Sequence, residues 1–318
     1  MRCLVTGGAG FIGSTLVDRL LAEDHEVDAV DDLSTGSLTN LASARAEGGK
    51  RFRFHQADIR AAEVVEVVTR IRPEVVFHLA AQADVRVSVE RPVFDAEVNI
   101  IGSLNVLEGA RAGGASKVVF ASSGGTIYGD PPPEALPIKE SQPQTPISPY
   151  GVAKKTVGDY LRAYRELHDL EFTALALANV YGPRQDPHGE AGVVAIFAEK
   201  LLAGETCTVF GDGHQTRDFV FVDDVVDAFA RAAERAGGLL LNVGTGIETS
   251  VNELYDAMAS AAGRNTRPEN QPARPGELAR SALDPSRAAI HLGWKPWTSL
   301  EDGVNAVMRW CRDKAKAG

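Results

Sequence analysis

The sequence predicts an α/β fold in which helices cover both faces of a parallel, doubly wound sheet, followed by a smaller, mostly helical C-terminal lobe. Three observations lead to this prediction. Short apolar runs alternate with helical patterns over the first two thirds of the 318 residues. The apolar runs are continuous, which is typical of strands buried on both faces. A glycine-rich turn joins the first strand to the first helix.

Six strands are predicted in order along the first part of the chain. They cover Arg2–Thr6, Glu26–Val30, Arg51–His55, Glu74–Leu79, Lys117–Ser122 and Phe172–Leu177. Amphipathic segments near 11–23, 60–71, 93–113 and 148–169 predict the helices between them. Val225–Arg235 predicts a later helix and Leu239–Val243 one more strand of the sheet. The segment 129–149 holds seven of the sixteen prolines, so we expect a loop; because it ends at Tyr150, it should follow the rim of the site.

The composition limits the classes of protein to which the chain can belong. Apolar residues make up 44% and charged residues 24%, as in an ordinary globular protein. With 33 Lys and Arg against 43 Asp and Glu, the net charge is −10, which disfavours binding to nucleic acid or an anionic membrane. We expect no membrane span, because no run of 18 apolar residues occurs, and no signal peptide, because Arg2 leads directly into a strand. Three separated cysteines predict neither a disulfide framework nor a metal site and suit a reducing cytoplasm.

The glycine-rich turn has the pattern expected of a dinucleotide site. Gly7 permits a tight turn, Gly10 lets the backbone approach a pyrophosphate, and Gly13 lets helix and strand pack closely. The first turn of the helix, including Phe11 and Ile12, supplies N–H groups to phosphate.

An acidic residue completes this pattern at the end of the second strand. Asp31 lies 18 residues beyond Gly13 and is placed to accept hydrogen bonds from the adenosine ribose. A 2′-phosphate at this point would meet both Asp31 and Asp32. The sequence therefore predicts a Rossmann-type domain that binds NAD in preference to NADP.

A tyrosine and a lysine lie four residues apart where the sheet is expected to bind its ligand. Tyr150 and Lys154 share one helix face after the fifth strand, although such pairs also occur by chance. A neighbouring ammonium and a nicotinamide ring both favour the phenolate, so Tyr150 could take a proton from an alcohol. Ser123 and Thr126, at the exit of the fifth strand, offer hydroxyl groups to the substrate oxygen.

Taken together, these motifs resemble the extended short-chain dehydrogenase/reductase family over nearly the whole chain. The resemblance rests on the Gly-x-x-Gly-x-x-Gly turn, the Tyr150-x-x-x-Lys154 pair, and the segments 179–184, 211–213, 217–218 and 274–277. Within the family the chain is most similar to enzymes that epimerise UDP-hexoses at C4. The resemblance implies permanently bound NAD and interconversion of UDP-glucose and UDP-galactose through a transient 4-keto sugar.

The resemblance also implies contacts for residues that carry no signal of their own. It assigns to the cofactor the residues Asp58, Ile59, Leu79, Ala80, Ala81, Gln82, Asn99 and Ser122, together with Tyr150 and Lys154. It assigns to the substrate the residues Asn179, Val194, Arg217, Arg274, Glu277 and Ser281. By itself Asp58 could be a helix N-cap and His78 a buried strand histidine; the resemblance favours adenine contact for Asp58 and leaves His78 structural.

The chain departs from the family at four positions. Gly124 stands where the family usually has its catalytic Ser or Thr, so we expect Ser123 to donate instead and keep Thr126 as the alternative. Ala176 replaces a usual arginine, which removes one expected polar contact. Related dehydratases carry an acidic residue directly after the catalytic Ser or Thr. No acidic residue follows Gly124 here, and this absence favours epimerisation. Ser281 stands where epimerases restricted to plain hexoses tend to have a bulky tyrosine, which leads to the hypothesis that N-acetylated UDP-hexosamines are also accepted.

These inferences give a two-part organisation and a partner. We expect an NAD-binding domain over 1–180, to which 219–245 returns, and a substrate-binding lobe over 181–318, mainly 182–218 and 246–318. The resemblance implies a homodimer through the helices at 93–113 and 148–169. The apolar residues of the second helix could instead form a core stripe: Ala153, Val157, Tyr160, Leu161, Tyr164 and Leu167.

Two alternative functions remain open on the sequence. One is another nucleotide-sugar enzyme (a UDP-glucuronate epimerase, decarboxylase or reductase), and the other is a non-catalytic NAD sensor.

Overall fold

A computed structural model describes residues 1–187, 192–273 and 278–317 of the chain. The strands are β1 Arg2–Thr6, β2 Glu26–Asp31, β3 Phe52–Gln56, β4 Val75–His78, β5 Lys117–Ser123, β6 Glu171–Leu177, β7 Asn179–Tyr181, β8 Thr208–Phe210, β9 Thr216–Arg217, β10 Phe219–Phe221, β11 Leu239–Val243, β12 Thr249–Ser250 and β13 Glu269–Gln271. All seven predicted strands are present, with ends that differ from the prediction by one residue at most.

The helices are α1 Phe11–Ala22, α2 Ala42–Glu47, α3 Glu63–Ile71, α4 Val85–Glu90, α5 Pro92–Ala96, α6 Ser103–Gly113, α7 Gly124–Ile127, α8 Pro149–His168, α9 Val193–Ala203, α10 Val222–Ala232, α11 Val251–Ala262, α12 Ser286–Leu292 and α13 Leu300–Ala317. Short 3₁₀ turns occur at Leu38–Leu41, Gly49–Arg51 and Pro133–Ala135. Among the described residues, no helix is long and apolar enough to cross a membrane.

The central sheet has seven strands in the order β3-β2-β1-β4-β5-β6-β11. Every neighbouring pair is parallel. Strand order reverses between β1 and β4, where Thr6 pairs with both Val30 and His78. In a doubly wound sheet the crevice above such a reversal, at the carboxyl ends of the strands, is where ligands bind. The predicted fold class is therefore confirmed.

Burial explains why these segments form strands and helices. In β1 the side chains of Cys3, Leu4 and Val5 are fully buried, since helices cover both faces of the sheet. Helix α8 begins cleanly because the Ser148 hydroxyl accepts a hydrogen bond from the backbone N–H of Gly151, and Pro149 occupies the first helical position. This sharp start places Tyr150 in the first turn of α8, a helix that packs against β5 and β6.

The predicted helix near 93–113 is wrong in one respect, because it is interrupted. A π-helical turn over Glu97–Gly102 separates α5 from α6. A Cβ at position 102 would lie 2.7 Å from the Ile59 side chain. The π-helical turn can therefore pass close to the segment after β3 only because residue 102 is glycine. Asn99 lies within this turn, and π-helical turns are frequent at functional sites.

The described residues of the C-terminal part combine helices with three small sheets. The paired strands are β7 with β10, β9 with β12, and β8 with β13. Helix α10 begins at Val222, three residues before the predicted start, and carries Asp223 and Asp224 in its first turn, where acidic residues favour helix formation. The main apolar core runs continuously from α1 and β1 to α9, α10, α11 and α13.

Candidate active site

The glycine-rich turn lies against the segment that follows β4. Gly7 has a φ of 68°, which favours glycine, and a Cβ there would lie 2.7 Å from the backbone nitrogen of Ala80. A Cβ on Gly13 would overlap the carbonyl oxygen of Gly7. Gly10 precedes α1, whose first turn contains Phe11, Ile12 and Gly13. The residues thus form a backbone cradle with helix N–H groups at its base, which fits a dinucleotide pyrophosphate.

Asp31 lies beside this cradle, as the sequence predicts. Asp31 is 8% exposed, and its carboxylate accepts hydrogen bonds from the backbone N–H of Ala9, at 2.9 Å, and of Leu33, at 2.8 Å. Burial raises the pKa of this carboxyl, and the two backbone hydrogen bonds oppose that rise. Asp32 is exposed, and its carboxylate accepts from Ser34. Asp31 therefore braces the glycine turn, in addition to its expected contact with the cofactor.

The segment after β4 is joined to the π-helical turn by reciprocal amide contacts. The backbone N–H of Gln82 donates to Asn99 Oδ1 at 3.0 Å, and Asn99 Nδ2 donates to the Gln82 carbonyl at 2.8 Å. Both side-chain amides also donate to Asp95 Oδ1, at 2.9 and 2.8 Å. Leu79, Ala80 and Ala81 lie between this pair and β4.

Asp95 is a residue of the site that the sequence analysis did not identify. Its carboxylate is 1% exposed, and burial raises its pKa, while the Gln82 and Asn99 hydrogen bonds and the Lys154 charge lower it. The one feature of the sequence that could have indicated its role is that Asp95 lies four residues before Asn99, a spacing that places two residues on the same face of a helix. Asp95 thereby holds two of the residues expected to bind the cofactor.

Asp58 is not a helix N-cap, because α3 begins at Glu63 and is preceded by Ala62. Its carboxylate accepts from the backbone N–H of Arg60 at 2.8 Å and pairs with the Arg60 guanidinium, which lowers its pKa. Ile59 is 6% exposed and packs beneath Gly102. Both residues follow β3 at the carboxyl edge of the sheet.

Tyr150 and Lys154 come together on α8. Both are buried, at 9% and 4% exposure. The Lys154 ammonium lies 5.6 Å from the centroid of the Tyr150 ring and 4.8 Å from that of Phe120, and Nζ donates to the carbonyl oxygen of Ala121 at 2.9 Å. Its hydrogen bond to β5 fixes the lysine beside the exit of that strand. A cation in this position stabilises negative charge on a neighbouring oxygen.

His78 is the buried structural histidine that the sequence predicts. It lies 2.7 Å from Thr6 Oγ1 and 2.8 Å from Ser103 Oγ, so both ring nitrogens have partners. Burial, together with the charge of Lys154, lowers the pKa of His78 to about 3. The imidazole is therefore neutral and ties β1, β4 and α6 together.

The exit of β5 presents two hydroxyl groups in different environments. Ser123 is half-buried at the end of the strand, next to the buried Ser122. Thr126 Oγ1 is fully buried and has no hydrogen-bond partner among the described residues. Gly124 lies between them, and a Cβ there would overlap Cδ1 of Leu283. Leu283 thus occupies the space of the side chain that the family usually carries at position 124.

The residues expected to bind substrate lie in several environments. Asn179 is exposed at the start of β7. The Arg217 guanidinium donates to the carbonyl oxygens of Thr216, at 2.7 Å, and Leu278, at 2.8 Å. Ser281 is 6% exposed, and Val194 is 1% exposed within the apolar core. Arg274 and Glu277 lie outside the described residues.

The apolar residues of α8 divide between two roles. Ala153, Val157 and Leu161 are buried at 1%, and the last two pack in a core cluster with β4, β5 and α6, as the core-stripe alternative states. Tyr160 and Leu167 are exposed, at 39% and 73%. The helix therefore keeps an apolar outer edge in addition to its core face.

Comparisons with known proteins agree with this geometry. The family model "NAD dependent epimerase/dehydratase family" matches residues 3–244. A UDP-glucose 4-epimerase of Mycolicibacterium smegmatis is 54% identical over 317 residues, covering 99% of this chain and 100% of the relative.

Solved structures of similar proteins have the same fold. The UDP-glucose 4-epimerase of Thermotoga maritima with UDP-glucose is 44% identical, with a TM-score of 0.94 over 99% of this chain and 100% of that chain. The UDP-glucose 4-epimerase of Thermus thermophilus in complex with NAD is 45% identical, with a TM-score of 0.90 over 98% and 99%. On its sequence, its fold and the arrangement of its site, the chain belongs to the NAD dependent epimerase/dehydratase family.

Proposed function

We propose that this chain is an NAD-dependent 4-epimerase that interconverts UDP-glucose and UDP-galactose through a transient 4-keto sugar. The observation that carries the proposal is the buried Tyr150 and Lys154 pair, which is held at the carboxyl-terminal part of β5 by the hydrogen bond of Lys154 to Ala121. The 54% identity to a UDP-glucose 4-epimerase over the whole chain supports the same activity.

The residues around the cradle fit the cofactor. The N–H groups of the first turn of α1 would hold the pyrophosphate, and Asp31 would accept from the adenosine ribose. Residues Asp58, Ile59, Leu79, Ala80, Ala81, Gln82, Asn99 and Ser122 would line the remainder. When bound, NAD supplies reversible oxidation and reduction at C4 of the sugar.

The chain itself supplies the proton transfers. The Tyr150 phenolate takes the proton of the sugar 4-hydroxyl as C4 is oxidised and returns it as C4 is reduced. The Lys154 ammonium favours the phenolate form, because it places a positive charge one helical turn away. The Ser123 hydroxyl is the preferred donor to the substrate oxygen; the buried Thr126 hydroxyl is the alternative.

Inversion at C4 requires the nucleotide to be held firmly while the sugar turns. Asn179, Arg217 and Arg274 would bind the UDP part, and arginine suits a diphosphate because its planar fork donates two parallel hydrogen bonds. Glu277 and Ser281 would contribute to the remaining substrate surface, whereas the side chain of Val194 is buried in the apolar core and would not touch the sugar nucleotide. This division leaves the hexose free to present either face to the cofactor.

A turnover assay tests the proposal against its alternatives. The purified protein is incubated with UDP-galactose, and nucleotide sugars and NADH are followed. We expect UDP-glucose without net accumulation of NADH, and NAD rather than NADP released on denaturation. A reductase would consume added NADH, a decarboxylase would release carbon dioxide from UDP-glucuronate, and a sensor would bind NAD without any turnover; each of these results would refute the proposal.

The second substrate class in the proposal is N-acetylated UDP-hexosamines. The small Ser281, in place of a bulky tyrosine, supports it because a small side chain leaves room for the acetamido group. The same assay with UDP-N-acetylgalactosamine should yield UDP-N-acetylglucosamine. Turnover of UDP-galactose alone would remove this part of the proposal.

The proposal extends to organisation and location. The sheet with its helices, 1–180 and 219–245, would bind NAD, and the segments 182–218 and 246–318 would bind the UDP-sugar. Three free cysteines, two of them buried, support a reducing, cytoplasmic location. Limited proteolysis with and without UDP tests the division, since UDP should protect cleavage sites in the second part selectively.

We further propose that the chain forms a homodimer through α5, α6, α8 and the π-helical turn. Large apolar side chains are exposed on α5, the π-helical turn and α8, among them Val93 at 71%, Ile101 at 50% and Val152 at 47%. An apolar groove lined by Pro92, Ala96, Ile100, Pro146 and Val152 runs between α5 and the start of α8. A second copy would bury this surface in a four-helix interface, and apolar area of this kind is typical of permanent dimers.

The mass of the protein in solution tests the dimer. Wild-type protein should elute at twice the chain mass of 33.9 kDa by light scattering. Val152→Glu should shift it to the monomer, because a carboxylate would be buried in the interface. Ile290→Glu is the control, since Ile290 is exposed at 77% on α12, away from the proposed surface. A monomeric wild type would refute the proposal.

A further inference from the structure

A buried carboxylate connects the segments that carry the expected substrate contacts. Asp218 lies between β9 and β10 and is 1% exposed. Its Oδ1 accepts hydrogen bonds from the backbone N–H of Thr245, at 2.8 Å, and from the Thr245 hydroxyl, at 2.6 Å. Its Oδ2 accepts from the backbone N–H of Gly246, at 3.0 Å, and of Leu283, at 3.1 Å. Each oxygen therefore accepts two donors, which uses the full acceptor capacity of a carboxylate.

The donors belong to separate parts of the chain. Thr245 and Gly246 follow β11, the last strand of the central sheet, and Leu283 belongs to the segment 278–284. The carbonyl oxygen of Asp218 also accepts from the backbone N–H of Asn179, at 2.9 Å. A single residue thus joins β7, the end of β11 and the segment 278–284.

These are the segments on which the expected substrate contacts lie. Asn179 pairs directly with the Asp218 backbone, and Arg217 is its neighbour in sequence. The Arg217 guanidinium donates to the carbonyl oxygen of Leu278, so it is fixed to the segment that carries Ser281. Three of the residues proposed to hold the UDP-sugar consequently lie on segments that meet at Asp218: Asn179 through the Asp218 backbone, Arg217 as its neighbour, and Ser281 on the segment whose Leu283 N–H the carboxylate binds.

The same carboxylate connects these segments to the exit of β5. Leu283, whose N–H it holds, is fully buried, and its side chain fills the space above Gly124. Gly124 is the residue that follows Ser123, the preferred hydroxyl donor. Through Leu283, Asp218 therefore links the segment 278–284 to the exit of β5.

We propose that Asp218 is a positioning residue for the sugar nucleotide, which holds Asn179, Arg217 and Ser281 in register with the β5 exit. This inference rests on the proposed function, because the role assigned to those residues does. Asp218 does not touch the substrate; it acts through the backbone groups that it binds.

Asp218→Asn tests the proposal with almost no change of shape. The amide replaces two acceptor sites with N–H donors, which would face existing donors. We expect the Kd for UDP, measured by titration calorimetry on the NAD-loaded protein, to rise about tenfold or more, because groups that bind the nucleotide lose their alignment. The KM for UDP-galactose should rise to a similar extent, while kcat changes much less.

The chain offers a matched control in Asp224. This carboxylate is also fully buried and accepts from the backbone N–H groups of Trp297 and Thr298 and from the Thr298 hydroxyl, at 3.1 to 3.4 Å. Asp224→Asn should lower the Tm as Asp218→Asn does, yet leave the Kd for UDP unchanged. If both variants weaken UDP binding equally, or neither does, Asp218 has only a structural role and the proposal is wrong.

A milder variant keeps the test decisive if Asp218→Asn does not fold. Thr245→Val removes one of the four donors and keeps the shape of the side chain. It should raise the Kd for UDP about threefold with NAD retained; an unchanged Kd would contradict the proposal.

The epimerase proposal and the proposal for Asp218 can be refuted independently of each other. Wild-type protein that binds UDP but does not convert UDP-galactose would refute the epimerase activity, while the UDP titrations would still decide the role of Asp218.

Discussion

The ammonium of Lys154 lies 5.6 Å from the centroid of the Tyr150 ring, on the same face of α8. The lysine is held there by the carbonyl oxygen of Ala121, a residue of the neighbouring strand β5. Helical spacing alone places the two side chains one turn apart. The bond to the strand directs the charge toward the site, so the sheet and the helix together form the pair.

The first prediction concerns the proton-transferring group. Tyr150→Phe removes the phenolic oxygen and keeps the ring that packs near Lys154. Turnover of UDP-galactose should fall by about 10²–10⁴-fold, because the general base is lost. NAD should remain bound at one molecule per chain, measured after denaturation. A variant that retains more than a tenth of wild-type turnover would exclude Tyr150 as the base.

A pair of variants distinguishes the two candidate hydroxyl donors. Thr126→Val removes a buried hydroxyl that has no partner among the described residues, so it should stabilise the fold by about 1–3 kcal/mol. If Ser123 is the donor, Ser123→Ala should lower kcat by about 10²-fold, and Thr126→Val should leave kcat near wild type. The opposite pattern in kcat would identify Thr126 as the donor. Thermal unfolding and steady-state kinetics on both variants provide the measurement.

The glycine cradle should tolerate no side chain at its third position. Gly13→Ala would force a Cβ into the carbonyl oxygen of Gly7, so it should destabilise the protein by about 1–3 kcal/mol and abolish NAD binding. Gly158→Ala is the matched control in α8, since no atom lies within 4 Å of the added Cβ. The control should gain about 0.5–1 kcal/mol in helix stability and keep its NAD. Bound NAD per chain and Tm are the two readouts.

The contact between Gly124 and Leu283 should appear as coupling between two substitutions. Gly124→Ser restores the residue type usual in the family but overlaps Leu283, so we expect it to destabilise the fold by about 1–3 kcal/mol and to lower kcat. Leu283→Ala alone should leave a cavity and destabilise by about 2–5 kcal/mol. The double variant should be more stable than the sum of the two effects predicts, by about 1 kcal/mol or more. Strict additivity in urea unfolding would show that the two positions do not compete for space.

His78 predicts a specific dependence of stability on pH. Its pKa is about 3 in the folded protein and about 6.5 when exposed, so the unfolded state binds an additional proton between these values. The stability that neutral His78 contributes is fully present above pH 6.5 and is lost as the pH falls toward 3. Below pH 6 this loss is about 1.4 kcal/mol per pH unit.

His78→Asn isolates this contribution. The variant should be less stable than wild type at pH 7, because the hydrogen bonds to Thr6 and Ser103 are disturbed. Between pH 6.5 and pH 5 its stability should fall less steeply than that of the wild type, as measured by urea unfolding. Equal slopes would mean that folding does not lower the pKa of His78, and would contradict this prediction.

Local patterns in the sequence were sufficient to predict most of the fold and part of the site. Continuous apolar runs indicated the seven strands of the sheet, and the Gly7, Gly10 and Gly13 spacing indicated the cradle, because each depends on residues near one another in the chain. The Tyr150 and Lys154 pair was predictable for the same reason. The interruption of the helix near 93–113 was not, since it depends on how Gly102 passes Ile59, over 40 residues earlier.

Contacts between distant segments were decided by the tertiary structure alone. No local pattern indicates that Asp218 accepts from Thr245, Gly246 and Leu283, or that Leu283 fills the space above Gly124. Such contacts form only when the sheet and the C-terminal segments pack together, and packing responds to the shape and unsatisfied hydrogen bonds of both partners. The amino-acid sequence thus determined by itself which elements form and which chemical groups stand at their ends, whereas the packed structure decided which of those groups meet.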